Sequence, residues 1–126
     1  MNYLKAEEIL LVHSLVIDET GGIHGVRDTN VILSLEKLPQ QTAFGEELYP
    51  TVFFKAAVYT RTIIMNHPFI DGNKRTGMTS AVVFLENNDV NFFAQEGEIE
   101  KIVLKIINER LSLEELADWF EHHSKK

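Results

Sequence analysis

The sequence predicts an all-α fold of about six helices, and three observations lead to this prediction. Apolar residues recur at the three-and-four spacing of amphipathic helices over most of the 126 residues. One short stretch, Val90 to Phe93, is typical of extended chain. The chain contains neither an internal repeat nor an interdomain linker, so we expect a single domain over residues 1–126.

The first two helices are predicted between residues 6 and 38. Ala6 to Glu19 is apolar on most sides; its length favours a helix over a strand, and the glycine pair that begins at Gly21 ends it. A shorter helix follows from about Asp28 to Leu38. We expect Asp28 to cap this helix and Pro39 to stop it.

The third and fourth helices flank the middle of the chain. The third begins after Pro50, which we expect in the first helical turn, and runs to about Asn66. The fourth lies between Arg75 and Asn88 and is apolar on most sides, as a buried central helix would be. It carries a patch of small residues that would permit close helix packing: Gly77, Ser80 and Ala81.

Two helices close the chain. One carries an apolar stripe from Ile99 to Ile107, and the other follows Ser112, whose hydroxyl is expected to form a capping box with Glu115. We expect His122 to Lys126 to form a solvated tail, because adjacent histidines on a helix do not face the same way and so do not form a metal pair.

Composition excludes several classes of function. The 12 Lys and Arg against 19 Asp and Glu give a net charge of −7, which argues against direct binding of nucleic acid. Cysteine is absent, so disulfides and thiolate metal sites are impossible. The N-terminus is acidic where a signal peptide is basic, and no apolar run reaches about 18 residues. We therefore expect a cytoplasmic protein that does not bind membranes.

One segment departs from the helical pattern, and it runs from His67 to Gly77 in the order His-Pro-Phe-Ile-Asp-Gly-Asn-Lys-Arg-Thr-Gly. Pro68 is expected to push His67 out of helical geometry into extended backbone. Asp71 and Asn73 are favourable helix-entry residues, and Gly72 permits a tight turn. The segment is therefore predicted to be a loop that leads into the fourth helix.

This loop combines three elements of phosphate chemistry. His67 can accept a proton at neutral pH, and Asp71 is an oxygen ligand suited to Mg²⁺. The helix N-terminus would supply free N–H groups and two cations for an anion, from Gly72, Asn73, Lys74 and Arg75. The combination indicates transfer of a phosphate-containing group to a hydroxyl, for which the protein mainly positions reactants and neutralises charge.

The segment from His67 to Arg75 resembles the signature of the Fic family, specifically its death-on-curing (Doc) branch, and residues 22–28 resemble that branch too. The resemblance implies a Fic-type helical bundle in which His67 deprotonates a hydroxyl of a protein substrate. It further implies Asp71 as the Mg²⁺ ligand and Phe69 as an inward structural anchor. The nucleotide phosphates, from ATP or another nucleoside triphosphate, would lie against Gly72, Asn73, Lys74 and Arg75.

Two departures from the adenylylating majority of the family bear on the reaction. That majority has Gly where this chain has Lys74, and a second Arg where it has Met78. Lys74 is typical of the Doc branch, which implies phosphorylation of a threonine of translation elongation factor Tu and arrest of translation. Thr79 and Arg61 are predicted as supporting residues: Thr79, one turn beyond Arg75, would reach the nucleotide, although a packing role fits equally well, and Arg61 would approach the site from the end of the third helix. Transfer of an adenylyl group remains the alternative.

The resemblance also bears on regulation and on substrate docking. Many Fic proteins carry an inhibitory Ser/Thr-x-x-x-Glu-Gly/Asn motif; Thr42 and Glu46 come nearest, but Glu47 stands where Gly or Asn is needed. We therefore expect a cognate antitoxin to act in trans. The stretch from Pro39 to Tyr49 corresponds to the family's flap, a short β-hairpin that aligns the target peptide, although an ordinary surface loop fits the sequence equally well.

Two further classes of function remain open on the sequence. His67 and Asp71 are spaced like a zinc pair, as in a metal-dependent hydrolase, although no third ligand is nearby. A catalytically silent module that only titrates an antitoxin is the other. His13, in an apolar stretch, is interpreted as a packed histidine.

Overall fold

The computed structural model describes residues 1–125 and contains six α-helices in that range, so the predicted all-α class is confirmed. The helices are α1 (Ala6–Thr20), α2 (Thr29–Ser34), α3 (Val52–Asn66), α4 (Asn73–Asn87), α5 (Glu96–Glu109) and α6 (Leu113–His122). A 3₁₀ turn spans Leu38–Gln40, and the short strands are β1 (Thr42–Ala43), β2 (Glu46–Glu47), β3 (Asn91–Phe92) and β4 (Ser124–Lys125). Among the described residues, no helix combines the length and the hydropathy that a membrane span requires.

Helix α3 is the centre of the packing. α4 and α6 make the most extensive contacts with it, and most of its side chains are buried. Even Tyr59 is fully buried; its hydroxyl accepts a hydrogen bond from the Leu4 N–H at 3.0 Å, and burial raises the pKa of this hydroxyl. The helix that leads into the loop at His67 is therefore held rigidly on several sides.

The small-residue patch of α4 packs closely against α3, as predicted. A Cβ atom on Gly77 would lie 3.0 Å from Ile64 Cγ1 and 3.1 Å from the Thr60 carbonyl oxygen. The Thr60 hydroxyl donates to the Gly77 carbonyl at 3.0 Å. Ser80 and Ala81 are fully buried on the same helix. This close approach fixes the start of α4 relative to the end of α3.

Several predicted helix ends are confirmed. Gly21, with φ of 87°, terminates α1 one residue after Thr20. The Asp28 side chain caps α2 by accepting a hydrogen bond from the Asn30 N–H at 3.1 Å. Ser112 and Glu115 form the expected capping box at the start of α6.

The prediction for the second helix is wrong in its extent. α2 ends at Ser34, and the chain continues through turns in which the Glu36 N–H bonds to the Leu33 carbonyl and the Lys37 N–H to that of Ser34. The 3₁₀ turn at Leu38–Gln40 follows, with the Gln40 N–H donating to the Lys37 carbonyl at 2.9 Å. Pro39 lies inside this turn, because proline is tolerated in a first helical turn, where its missing N–H has no partner to lose.

Pro50 is also displaced from its predicted position. α3 begins at Val52, and Thr51 is the N-cap, its hydroxyl accepting from the Phe54 N–H at 3.1 Å. Because a side-chain acceptor at Thr51 satisfies a free helix N–H, the helix begins one residue after that cap and Pro50 lies before it.

Two hairpin-like pairings complete the chain. β1 and β2 form a short antiparallel hairpin within residues 39–49, so the β-hairpin expectation is confirmed. Its tip residue Phe44 is fully exposed, with φ of 53°. β3 includes Phe92 of the predicted extended stretch and pairs with β4. His122 and Lys125 are exposed, as expected for a solvated tail, but the tail is attached to the fold, because Ser124–Lys125 pair with β3 and His123 Nε2 lies 2.7 Å from Glu98 Oε2. Lys126 lies outside the described residues.

Candidate active site

The loop from His67 to Gly72 joins α3 to α4. His67 is the C-cap of α3, with φ of 46° and ψ of 58°, and its N–H donates to the Ile63 carbonyl at 3.2 Å. The predicted extended backbone at His67 is therefore wrong, because a left-handed residue that closes the helix turns the chain more sharply than extended backbone would. The side chain of His67 is exposed, at the end of a helix whose side chains are mostly buried.

The entry into α4 also differs from the predicted one. Gly72, in the left-handed region with φ of 78°, is the N-cap, and no side chain caps the helix there. The side chain of Asn73 turns back into the loop instead: Oδ1 accepts from the Phe69 N–H and Nδ2 donates to the Phe69 carbonyl, both at 2.9 Å. Asn73 thereby closes the loop into a compact turn.

A second segment, residues 22–28, braces this loop through backbone pairing. Val26 forms an isolated antiparallel bridge with Phe69, and the Ile70 N–H donates to the Gly25 carbonyl at 3.1 Å. The Arg27 N–H donates to the Pro68 carbonyl at 2.7 Å, and its guanidinium Nη2 donates to the His67 carbonyl at 2.8 Å. Arg27 therefore holds the backbone of His67 from outside the loop.

From inside the bundle, the loop is held by Phe69 and His13. Phe69 is fully buried, and its ring stacks on the His13 imidazole with centroids 3.8 Å apart and planes 5° from parallel. His13 Nε2 lies 2.8 Å from the Asp71 carbonyl oxygen. Because that oxygen can only accept, Nε2 carries the proton. His13 is buried, as the sequence indicated, but its contact with the loop is visible only in three dimensions.

Asp71 is oriented by the bracing segment. Its Oδ2 accepts from the Ile23 N–H at 2.9 Å, while the side chain remains partly exposed. The described residues contain no group of three or more His, Asp or Glu side chains able to hold a metal. A single carboxylate suits Mg²⁺ that is shared with substrate phosphates, and it does not suit a zinc site built from protein ligands.

The first turn of α4 offers the groups that bind anions in proteins. The first helical bond runs from the Thr76 N–H to the Gly72 carbonyl, so the N–H groups of Asn73, Lys74 and Arg75 have no acceptor within the helix. Lys74 and Arg75 are both exposed. Free N–H groups, the helix dipole and two cations all favour a phosphate at this position.

Arg75 is flanked by two carboxylates from other helices. Its guanidinium lies 3.8 Å from Glu19 at the end of α1 and 3.6 Å from Glu96 at the start of α5. Both acids are largely exposed, with 75% and 70% of their side chains accessible, so the pairs are screened and weak. These two weak pairs leave the positive charge of Arg75 available to another anion.

A cleft of about 680 Å³ opens between α4 and α5 beside these cations. Lys74, Arg75 and Thr79 line it from α4, and most of the remaining lining is apolar, including Met78. The structure thus brings Thr79 together with Lys74 and Arg75.

Arg61 does not line the cleft that contains Lys74 and Arg75. It lines a second cavity of about 320 Å³, which shares no lining residue with that cleft and is bordered by Asn66, the residue before His67. The contacts described above hold together four of the predicted site residues in the loop: Phe69, Asp71, Gly72 and Asn73. His67 is connected to this group through its backbone.

Comparison with known proteins identifies the family. The Fic/DOC family model matches residues 3–85. The chain is 36% identical over 92 residues to "Toxin Doc" of Mycolicibacterium smegmatis, covering 73% of this chain and 68% of that protein. It is 28% identical over 118 residues to "Protein kinase doc" of Escherichia phage P1, covering 94% of this chain and 92% of that protein. With its loop and helix order as described, the chain belongs to the Fic/DOC family.

Proposed function

We propose that this protein is a toxin that transfers the terminal phosphate of ATP, or of another nucleoside triphosphate, to a Ser or Thr hydroxyl of a protein target. The observation that carries the proposal is the loop from His67 to Arg75, in which an exposed histidine, a carboxylate and a cationic helix N-terminus lie on one braced turn. The relative named "Protein kinase doc" supports a phosphotransferase, and the one named "Toxin Doc" supports a toxin.

In this reaction the protein's own groups position the reactants and move one proton. The substrate hydroxyl oxygen bonds to the terminal phosphorus, His67 accepts the hydroxyl proton, and the bond from that phosphorus to the bridging oxygen breaks, releasing a nucleoside diphosphate. The exposed imidazole of His67 is accessible to such a hydroxyl. Lys74, Arg75 and the free N–H groups of α4 stabilise the negative charge on the phosphates.

Asp71 fits the magnesium ion that such a reaction uses. One carboxylate oxygen bonds to the Ile23 N–H, which fixes the carboxylate and leaves its partly exposed face toward solvent. Mg²⁺ is usually held by one or two carboxylates together with substrate phosphates, so the single acid is sufficient. When bound, the ion would neutralise charge on the phosphates.

Transfer of the terminal phosphate, rather than of an adenylyl group, is favoured by the arrangement of charge. Lys74 and Arg75 are consecutive on the first turn, so positive charge is concentrated near the loop that carries His67. One turn further on, Met78 is apolar and buried, and it provides no anchor for outer phosphates. The sequence resemblance to the Doc branch points to elongation factor Tu as the target.

ATP labelled at either the α or the γ phosphate distinguishes the two reactions. We expect label from the γ position alone on purified elongation factor Tu, with a mass gain of one phosphate, and we expect chelation of Mg²⁺ to abolish it. His67→Ala should lose transfer, whereas His122→Ala, which changes an exposed histidine on α6, should retain it. Label only from the α position would refute phosphorylation.

We further propose that a cognate antitoxin restrains the enzyme in trans. Lys74 and Arg75 line the mostly apolar cleft between α4 and α5, so a peptide segment bound in the cleft would cover these cations. Such segments commonly fold as they bind. Expression of the chain alone in bacteria should arrest growth, and the His67→Ala variant should not. Identical growth of the two strains would contradict the toxin assignment.

A further inference from the structure

The second cavity, which we call the Arg61 pocket, lies between α3, the start of α6 and the segments that flank the β-hairpin. Leu38, in the 3₁₀ turn before β1, and Tyr49, two residues after β2, form one wall, and Leu113 of α6 adds to the lining. Met65 and Asn66, which immediately precede His67, form another wall. The pocket therefore borders both the chain that leads into the hairpin and the chain that leads to His67, so a substrate segment that binds between the hairpin and His67 would lie near it.

Arg61 is the only charged residue among those that line the pocket within residues 1–125. Arg61 is partly buried, and no ion pair to its guanidinium is found in the described part of the chain. Tyr49 and Thr62, whose side chains carry hydroxyl groups, also line the cavity. In a protein of net charge −7, a cation in such a cavity, without a carboxylate beside it, is suited to receive an anion from a partner.

We propose that the Arg61 pocket is a specificity subsite that accepts an acidic side chain, Asp or Glu, of the protein substrate. This inference rests on the proposed protein phosphorylation and adds a preference to it. A planar guanidinium binds a carboxylate through two parallel hydrogen bonds, which gives direction as well as charge to the recognition.

The spacing between Arg61 and His67 sets where the acid should lie in the substrate. Six residues of helix separate the two positions, which is about 9 Å along the axis at ~1.5 Å per residue and about 120° around it at ~3.6 residues per turn. With a helix diameter of ~10–12 Å, the two side chains are about 13 Å apart, which an extended peptide covers in about four residues at ~3.3 Å each. The acid is therefore expected about three to five residues from the hydroxyl that receives the phosphate.

A nucleotide phosphate is the competing candidate for the anion at Arg61, but the placement of the other cations favours a peptide. Lys74 and Arg75 line the cleft between α4 and α5, and that cleft and the Arg61 pocket have no residue in common. The pocket therefore borders the hairpin and not the phosphate site.

Steady-state kinetics with elongation factor Tu as acceptor test the assignment. Arg61→Gln should raise the KM for the acceptor by roughly 10- to 100-fold, since a charged hydrogen-bonded contact contributes about 1.5–3 kcal/mol, and should leave the KM for ATP unchanged. Arg61→Lys should restore part of the loss. The matched control is Lys105→Gln, which removes one exposed positive charge on α5 and should change neither constant.

The modified hydroxyl, located by mass spectrometry, allows a sharper test. Replacing the acid found about three to five residues away by Lys should weaken the acceptor for the wild-type enzyme, and Arg61→Glu should recover it. An acceptor KM within twofold of wild type for Arg61→Gln, a rise in the KM for ATP, or the absence of an acid at that spacing would each overturn the inference.

A binding measurement keeps the inference separate from the proposed function. In NMR titrations of the full chain with glutarate, we expect saturable shifts at the Arg61 side chain and the Asn66 amide, absent with the neutral glutaramide and absent in Arg61→Gln. If wild type transfers no phosphate to any protein, the proposed function fails while glutarate still tests the pocket. Equal shifts with both compounds, or none with glutarate, would refute the pocket.

Discussion

The ion pair between Lys55 and Glu47 predicts an unequal response to removal of its two partners. Lys55 is 1% exposed in α3, and its Nζ donates to Glu47 Oε1 at 2.8 Å and to the Pro39 carbonyl at 3.0 Å. It also lies 5.5 Å from the centroid of the Tyr3 ring. Glu47 belongs to the hairpin and is 48% exposed. The pair thus fastens the hairpin to the core.

Removal of the acid should be the more damaging change. Glu47→Ala leaves a buried ammonium without its counter-charge, which costs about 3–5 kcal/mol in fully buried pairs. Because Glu47 is half exposed, water can partly replace it, and we expect about 2–3 kcal/mol. Lys55→Met removes the buried charge and fills its space with an apolar chain of similar length, so we expect a loss below about 1 kcal/mol.

Urea unfolding and thermal unfolding, both followed by circular dichroism, measure the free energy of unfolding and the Tm of both variants. With an unfolding entropy near 2.1 cal/mol/K per residue, 126 residues give about 265 cal/mol/K, so Glu47→Ala should lower Tm by about 8–11 °C. The double variant should resemble Lys55→Met, because no unpaired buried charge remains. The reasoning is refuted if Lys55→Met destabilises as much as Glu47→Ala does.

Three further predictions follow from contacts at the site and in the core. His13→Ala removes the stack on Phe69 and the bond to the Asp71 carbonyl, so we expect about 2–3 kcal/mol of lost stability in urea and slower phosphate transfer; unchanged transfer would deny that His13 positions the loop. Glu96→Gln removes one of the two carboxylates beside Arg75, so calorimetry should show ATP binding about two- to threefold tighter. Weaker binding would refute the idea that Glu96 competes with the ATP phosphates for Arg75. Gly77→Ala should destabilise by about 1–2 kcal/mol in thermal unfolding, because its Cβ would press on the Thr60 carbonyl, while the control Gly97→Ala, which meets nothing within 4 Å, should stabilise slightly; equal effects would refute the close packing.

The helices and the chemical character of the site were accessible from the sequence, because both depend on short-range patterns. Apolar spacing located α1, α3, α4, α5 and α6 to within a few residues. Local side-chain capping likewise identified Asp28 and Ser112. Where the outcome depended on competition between local signals, as at Pro39 and Pro50, the prediction of position was wrong, because both prolines fit more than one position around a helix start.

The residues from His67 to Arg75 determined by themselves which groups are available for phosphate chemistry, since a base, a carboxylate and two cations follow one another on nine residues. Only the tertiary structure decided how these groups are held. His67 adopts left-handed backbone, and Asn73 turns back onto Phe69. The brace from Arg27 to His67 and the hydrogen bond from His13 to the Asp71 carbonyl join residues 40 and 58 positions apart. These long-range contacts arise because α1 and α3 both pack against α4, and a pattern read along one segment carries no information on which distant surface will meet it.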